Sequence, residues 1–262
     1  MQLAEKVAVV TGGAAGIGRA LALRFAAEGA RGVVVADLDQ AGAEAVAAEI
    51  GEGALAFACD VADPAHADAL IGAAESAFGA VDLFCANAGV AVGEGLGATA
   101  EWELALGVNL GAHVYAAERL LPGWLERGSG YFLTTASAAG LVTQIGSAPY
   151  AVTKHAAVAF AEWLSVTYGA RGVGVSCLCP MGVNTDLLHG SGGAGNVVKA
   201  AGTVLEPADV AEVVVAGLET ETFLILPHPE VLEFFRRKGA DYDRWLAGMR
   251  RLQASVAAQR DA

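Results

Sequence analysis

The chain has 262 residues, 55% of them apolar, and carries 29 Asp and Glu against 16 Lys and Arg, a formal charge of −13. Such a composition can bury one large core, and its negative excess repels a polyphosphate backbone, which argues against nucleic acid as a partner for the body of the chain. No run of about 18 consecutive apolar residues occurs, and a strand-like run begins at Lys6 with no charged-then-apolar leader before it, so no membrane span and a cytoplasmic location are expected.

From the first residues onward, short β-branched runs alternate with Ala/Leu/Glu-rich stretches, the pattern of βαβ units around a parallel sheet. Strands are predicted at 6–10, 32–36, 54–58, 81–85, 130–134, 172–178 and 222–226, with helical connections between them. Their lack of polar alternation predicts burial on both faces. The expected fold is a single α/β domain of the Rossmann type, doubly wound, with a seven-stranded parallel sheet flanked by helices. Residues 1–226 form its core and 227–262 a C-terminal helical tail. The four cysteines, Cys59, Cys85, Cys177 and Cys179, lie in or beside strand-like runs and read as buried and reduced; Cys177-x-Cys179 matches no common zinc spacing, and no metal is expected.

The first strand runs directly into TGGAAGIG at 11–18, which opens an Ala/Leu-rich helix. Gly12, Gly16 and Gly18 permit a tight turn, so that backbone N–H groups around Ala14, Ala15 and Ile17 and the helix N-terminus can approach a pyrophosphate. Tight packing alone would also account for such a turn. Asp37 ends the second strand 19 residues after Gly18, beside Leu38, where a carboxylate can bond both ribose hydroxyls of adenosine. The same carboxylate repels a 2′-phosphate, and no Arg or Lys stands at 13–15 or 38–40, so NAD is expected rather than NADP.

Tyr150 and Lys154 are four apart in a helix that Ser147 is placed to cap, with Pro149 in its first turn. A tyrosine with a pKa near 10 is a poor base at neutral pH, but a nearby ammonium and a cationic nicotinamide both favour its phenolate. Alone, the same spacing also fits a partly buried Tyr beside a solvated Lys.

Taken together these residues resemble the short-chain dehydrogenase/reductase family, and the resemblance extends to about Leu226. It rests on the glycine turn at 11–18, an Asp-Val pair at Asp60-Val61, an Asn-Ala-Gly element at Asn87-Ala88-Gly89, and the set Asn109, Ser137, Tyr150 and Lys154 in that order. The resemblance implies that Ser137 bonds the substrate oxygen while Tyr150 exchanges a proton with it as hydride passes to or from NAD. It further implies that Lys154 lowers the Tyr150 pKa and holds the nicotinamide ribose, and that Asn109 places a water connecting Lys154 to solvent. Pro180, Gly182, Val183 and Thr185 follow the family's nicotinamide-side segment, with Met181 where glycine is usual; Ala86 replaces a usual Asn; and the glycine-rich ending is replaced by Pro227-His228-Pro229 and a further helical segment.

By the same resemblance the substrate pocket forms from loops carrying Val90, Val92, Leu141, Gln144, Ile145, Met181, Leu187 and Leu188. That apolar set suits an uncharged secondary alcohol or ketone. An NAD-binding sensor without turnover would not need the complete set of four, whereas an isomerase or dehydratase that retains its cofactor would show no net cofactor reduction. The Gly-rich segment 189–195 reads as a mobile cover or an ordinary surface loop. The tail holds seven of the sixteen basic residues, at 236 and beyond, between Phe234, Trp245, Met249 and other apolar residues at helical spacing. It reads as an amphipathic helix that docks on its own subunit, on a neighbouring acidic subunit, or on a membrane surface. The resemblance implies a homodimer or homotetramer built on the helices that carry Asn109 and Tyr150.

Overall fold

In the computed structural model, which describes residues 1–190, 195 and 202–260, the strands are β1 (Val7–Thr11), β2 (Gly32–Asp37), β3 (Ala54–Ala58), β4 (Leu83–Ala86), β5 (Gly130–Thr135), β6 (Val173–Leu178) and β7 (Leu224–Ile225). All pair in parallel, in the order β3-β2-β1-β4-β5-β6-β7. The helices are α1 (Gly16–Ala27), α2 (Gln40–Ile50), α3 (Pro64–Phe78), α4 (Thr99–Leu106), α5 (Ala112–Arg127), α6 (Ala139–Val142), α7 (Ala148–Tyr168), α8 (Asp186–Gly190), α9 (Pro207–Glu219), α10 (Glu230–Ala240) and α11 (Tyr242–Arg260).

Successive strand side chains point to opposite faces, and both faces are covered. Ala8, Val10, Val33, Val35 and Leu133 pack with Leu21 and Phe25 of α1 and Val210 and Val214 of α9. Val7, Val9, Val34 and Phe132 pack with Leu70 and Ile71 of α3, Leu120 and Trp124 of α5, and Ala161 and Leu164 of α7. This is why the strands read as continuous apolar runs. Strand order reverses at β1, between β2 and β4, and in a doubly wound sheet ligands bind at the carboxyl ends of the strands beside such a switch.

Of the seven strands the third keeps its expected limits, the second, fifth and sixth differ by one residue at one end, and three differ at both ends. The first strand runs one residue later, to Thr11. The fourth begins at Leu83 rather than 81, because the Val81 carbonyl receives the Trp124 indole N–H at 2.8 Å instead of a ladder partner. The last shrinks to two residues, since Ser176 Oγ donates to the Thr222 carbonyl at 2.7 Å. Of the Gly-rich segment, 191–194 lie outside the described residues, and His189 and Gly190 end α8. The tail forms α10 and α11 and docks on its own chain, with Val231 fully buried in the larger core cluster. No helix among the described residues is long and apolar enough to cross a membrane. All four cysteines are buried and free.

His113, on α5, is fully buried beside Phe132, with ring centroids 6.4 Å apart, and among the described residues neither ring nitrogen has a hydrogen-bond partner. Burial, helped by the charge of Lys154, lowers its pKa from 6.5 to about 3. The folded protein therefore binds fewer protons than the unfolded chain between those values, and stability falls as pH drops below about 6.5 at up to about 1.4 kcal/mol per pH unit. Urea unfolding at pH 7 and pH 5 should show a shallower loss for His113→Leu than for the parent; equal losses would contradict this account.

Candidate active site

The carboxyl ends of β1, β4 and β5 are laced together by polar side chains. Thr11 Oγ1 donates to the Cys85 carbonyl at 3.1 Å and accepts from the backbone N–H groups of Asn87 and Ala88 at 3.0 and 3.1 Å. Asn87 Nδ2 donates to the Thr11 carbonyl at 3.0 Å, and its Oδ1 accepts from Thr135 Oγ1 at 3.1 Å. The Thr135 carbonyl in turn receives Lys154 Nζ at 3.0 Å. A continuous set of hydrogen bonds thus joins the glycine turn to α7.

The turn fits a dinucleotide. Gly12 has φ +65° and Gly16 φ +53°, conformations that side chains disfavour, and a Cβ on Gly18 would lie 2.0 Å from the Gly12 carbonyl oxygen. Asp37 Oδ2 accepts from Ala14 N at 3.0 Å, so the carboxylate is fixed against the turn while still lining the cleft. Leu38 beside it is 76% exposed. Asp60, Val61, Asn87, Ala88 and Gly89 continue the same wall. Among the described residues no group of three or more His, Cys, Asp or Glu is placed to hold a metal.

Asn109 sits in a π-helical turn, Gly107–Gly111, between α4 and α5. Such turns commonly occur at functional positions. Its amide grips the Val90 backbone in both directions, with Oδ1 accepting from Val90 N at 2.9 Å and Nδ2 donating to Val90 O at 3.0 Å. Nδ2 also donates to Thr153 Oγ1 at 3.0 Å, which ties it to α7. Ser147 caps α7, accepting from Tyr150 N at 3.2 Å and donating to the Val92 carbonyl at 2.8 Å. Tyr150 and Lys154 therefore share one face, the ammonium 5.8 Å from the centre of the phenol ring. Ser137 follows β5, hydrogen-bonds the Tyr150 hydroxyl, and accepts from Ala139 N at 3.1 Å. All four side chains are buried, and Ser137, Tyr150 and Lys154 line the cleft. A Cβ on Gly89 would come within 3.2 Å of Lys154 Nζ and 3.4 Å of Asn109 Oδ1, so glycine there leaves room for both.

The expected lowering of the Tyr150 pKa by Lys154 does not govern the protein alone. Burial pushes Tyr150 above its ordinary value, the hydrogen bond with Ser137 pulls it down, and the neighbouring Cys179 thiol adds to the rise. Burial also lowers Lys154 from 10.5 to about 8, against the opposing influence of Cys179 and Cys177. Those two sulfurs are buried and lie 3.7 Å apart.

The cleft has a volume of about 900 Å³. It collects Gly12, Ala15, Gly16, Ile17 and Gly18 at one end and Val90, Gln144, Ile145, Pro180, Met181, Val183, Thr185, Leu187 and Leu188 at the other. Five expected residues are not on its wall, among them Asn109, which is fully buried against Val90 and Thr153. Leu141 belongs to the larger core cluster, because α6 turns its side chain inward. Val92 instead offers its carbonyl to Ser147, Ala14 gives its N–H to Asp37, and Gly182 gives its carbonyl to Leu205 N at 3.0 Å. The sequence reading missed Thr135, whose only signal was its place at a strand end. It also did not assign Phe234, Arg237, Trp245, Met249 and Leu252 of the tail to the cleft.

A sequence profile of the family described as short chain dehydrogenase matches residues 6–193. The chain is 38% identical over 246 residues to 1-deoxy-11-beta-hydroxypentalenate dehydrogenase of Streptomyces exfoliatus, covering 88% of this chain and 86% of that one. It is 38% identical over 194 residues to D-threitol dehydrogenase of Mycolicibacterium smegmatis, covering 72% and 74% respectively. A short-chain dehydrogenase/reductase from Burkholderia phymatum, solved in complex with NAD, superposes with a TM-score of 0.86 at 29% identity, over 93% of this chain and 96% of that one.

The lowered value at Lys154 is directly measurable. After reductive ¹³C-methylation, the resonance absent from Lys154→Ala should titrate near pH 8, more than two units below the surface lysines; a midpoint near 10.5 would contradict the burial described.

Proposed function

The chain belongs to the short-chain dehydrogenase/reductase family, and on that premise we propose that it is an NAD(H)-dependent oxidoreductase interconverting a secondary alcohol and a ketone. The observation that carries this reading is the convergence of Ser137, Tyr150 and Lys154 on one cleft whose far end is the glycine turn. In this reading NAD is held by the turn at Gly12, Gly16 and Gly18, by Asp37 on the adenosine ribose, by Asp60 and Val61 near the adenine, by Asn87 to Gly89 along the floor, and by Lys154 and the 180–185 segment at the nicotinamide. Bound there, it accepts or supplies the hydride and, when oxidised, brings a positive charge beside Tyr150.

Ser137 donates a hydrogen bond to the substrate oxygen and fixes it against Tyr150 Oη. In ketone reduction the phenol of Tyr150 gives its proton to the developing alkoxide, and burial, by keeping that phenol protonated, suits this direction. In alcohol oxidation the phenolate removes the hydroxyl proton, with the Lys154 ammonium stabilising the anion. Asn109 holds the Val90 backbone and α7 in register, so that the proton of Lys154 can be exchanged through a bound water. The apolar lining favours an uncharged substrate. Val152, Trp163 and Val166 on α7 stay exposed, the last by 86%, and support a homodimer or homotetramer that buries this face.

Incubation with NAD or NADP and a panel of secondary alcohols, followed by reduced-nicotinamide absorbance, tests the reading. Tyr150→Phe should lose at least about 100-fold in kcat while still binding NAD; no Tyr150-dependent signal from any alcohol would defeat the dehydrogenase reading. Oxidation should quicken with rising pH and reduction should not, since the first needs the phenolate and the second the phenol. NAD should outperform NADP, and Asp37→Ser should narrow the gap; a preference for NADP would overturn the role given to Asp37.

A further inference from the structure

Residues 227–256 are stitched to two of the segments that border the substrate end of the cleft. The first tie is His228, which is almost fully buried. Its Nδ1 accepts from Met181 N at 3.1 Å, so Nε2 carries the proton and donates to the Thr203 carbonyl at 3.1 Å. One imidazole thereby joins the start of the tail to the segment after β6.

The second tie is Lys238 on α10, only 6% exposed although it lies in the most basic stretch of the chain. Its ammonium donates to the Leu141 carbonyl at 2.7 Å, in α6, and meets His155 Nε2 at 3.2 Å, on α7. The carbonyl of Ala151, 2.8 Å from His155 Nδ1, can only accept a hydrogen bond, so Nδ1 carries the ring proton and Nε2 offers its lone pair to the ammonium. The charge also lies 5.6 Å from the centre of the Tyr242 ring, at the start of α11. One buried cation thus joins α10, α11, α6 and the helix that bears Tyr150 and Lys154.

What these ties hold in place is an apolar stripe. Trp245, Met249 and Leu252 recur at one helical face of α11, and with Phe234 of α10 they line the cleft opposite Ile145 and Leu187. The cation on this wall, Arg237, is engaged by Glu233 at 2.8 Å, which leaves its charge partly neutralised.

We propose that the C-terminal helical pair, clamped by Lys238, is the selecting wall of the substrate site, so that the protein takes a bulky, uncharged, apolar alcohol or ketone and discriminates against small ones. This rests on the reading of the cleft as a dehydrogenase site, with Lys238 as a positioning residue and Phe234, Trp245 and Met249 as the selecting contacts. A larger ring system gains contact with the stripe, whereas a four-carbon ketone reaches Ser137 and Tyr150 without touching it.

Calorimetric binding of uncharged ketones from 2-butanone through cyclohexanone to camphor, to the NAD⁺-loaded protein, which has no hydride to deliver to a ketone, tests this without turnover. In the parent protein affinity should rise with size. Lys238→Met and Trp245→Ala should each cut the camphor-to-butanone affinity ratio at least tenfold while NAD⁺ affinity moves less than twofold. Amide exchange should accelerate across 230–256 in Lys238→Met and stay unchanged in the strands. No size preference in the parent, or an unaltered ratio in both variants, overturns the proposal. If Lys238→Met does not fold, Trp245→Ala decides alone. A failure of Tyr150-dependent turnover would count against the dehydrogenase reading and leave these binding results standing, while an unaltered ratio beside normal turnover would remove only the selecting wall.

Discussion

A single run of hydrogen bonds, from the Thr11 hydroxyl through the Asn87 amide and Thr135 to the Lys154 ammonium, fixes the two halves of this site against one another. It crosses the ends of three adjacent parallel strands, where backbone groups would otherwise face the cleft without a ladder partner. Because Lys154 is buried and bound to a carbonyl rather than to a carboxylate, its position is set by this seam and not by an ion pair. Loss of any link leaves buried polar groups unpaired, at a cost of about 1–3 kcal/mol each. The glycine at position 89 belongs to the same arrangement, since a side chain there would push against both the ammonium and the Asn109 amide.

The electrostatics around Tyr150 and Lys154 follow from that enclosure. Burial acts on Tyr150 and Lys154 in opposite directions, raising the first and lowering the second, and both shifts favour the neutral form. A cation entering the cleft beside Tyr150 acts against that burial and favours the phenolate. His113, one helical turn beyond Asn109, extends the same low-polarity environment behind the lysine and is held neutral by it.

Much of this was legible in the sequence because it depends on local pattern. The glycine turn, the capped helix start at Ser147 and the apolar strand runs each express a constraint within about ten residues, and the structure places all seven strands near their expected positions. Strand ends were less legible. The fourth is shortened by Trp124, 43 residues away, and the seventh by a serine hydroxyl on its neighbour. The π-helical turn at Asn109 leaves no mark in composition, and Lys238 reads in sequence as one of several solvated basic residues. Only its carbonyl partner, 97 residues distant, reveals that it is inside. Leu141 was misplaced for a related reason: a short helix after β5 decides which of its neighbours face the cleft, and one sequence does not fix that rotation.

Among the described residues the tail joins the body through loops and helices and contributes no strand, so the sheet and its hydrogen-bond ladders are complete before residue 227. Variation in α10 and α11 therefore leaves strand register alone and reaches α7 through the contact of Lys238 with His155. The chemistry proposed for the site thus draws on the interleaved βα units, while the preference proposed for it draws on a segment that adds no strand to them.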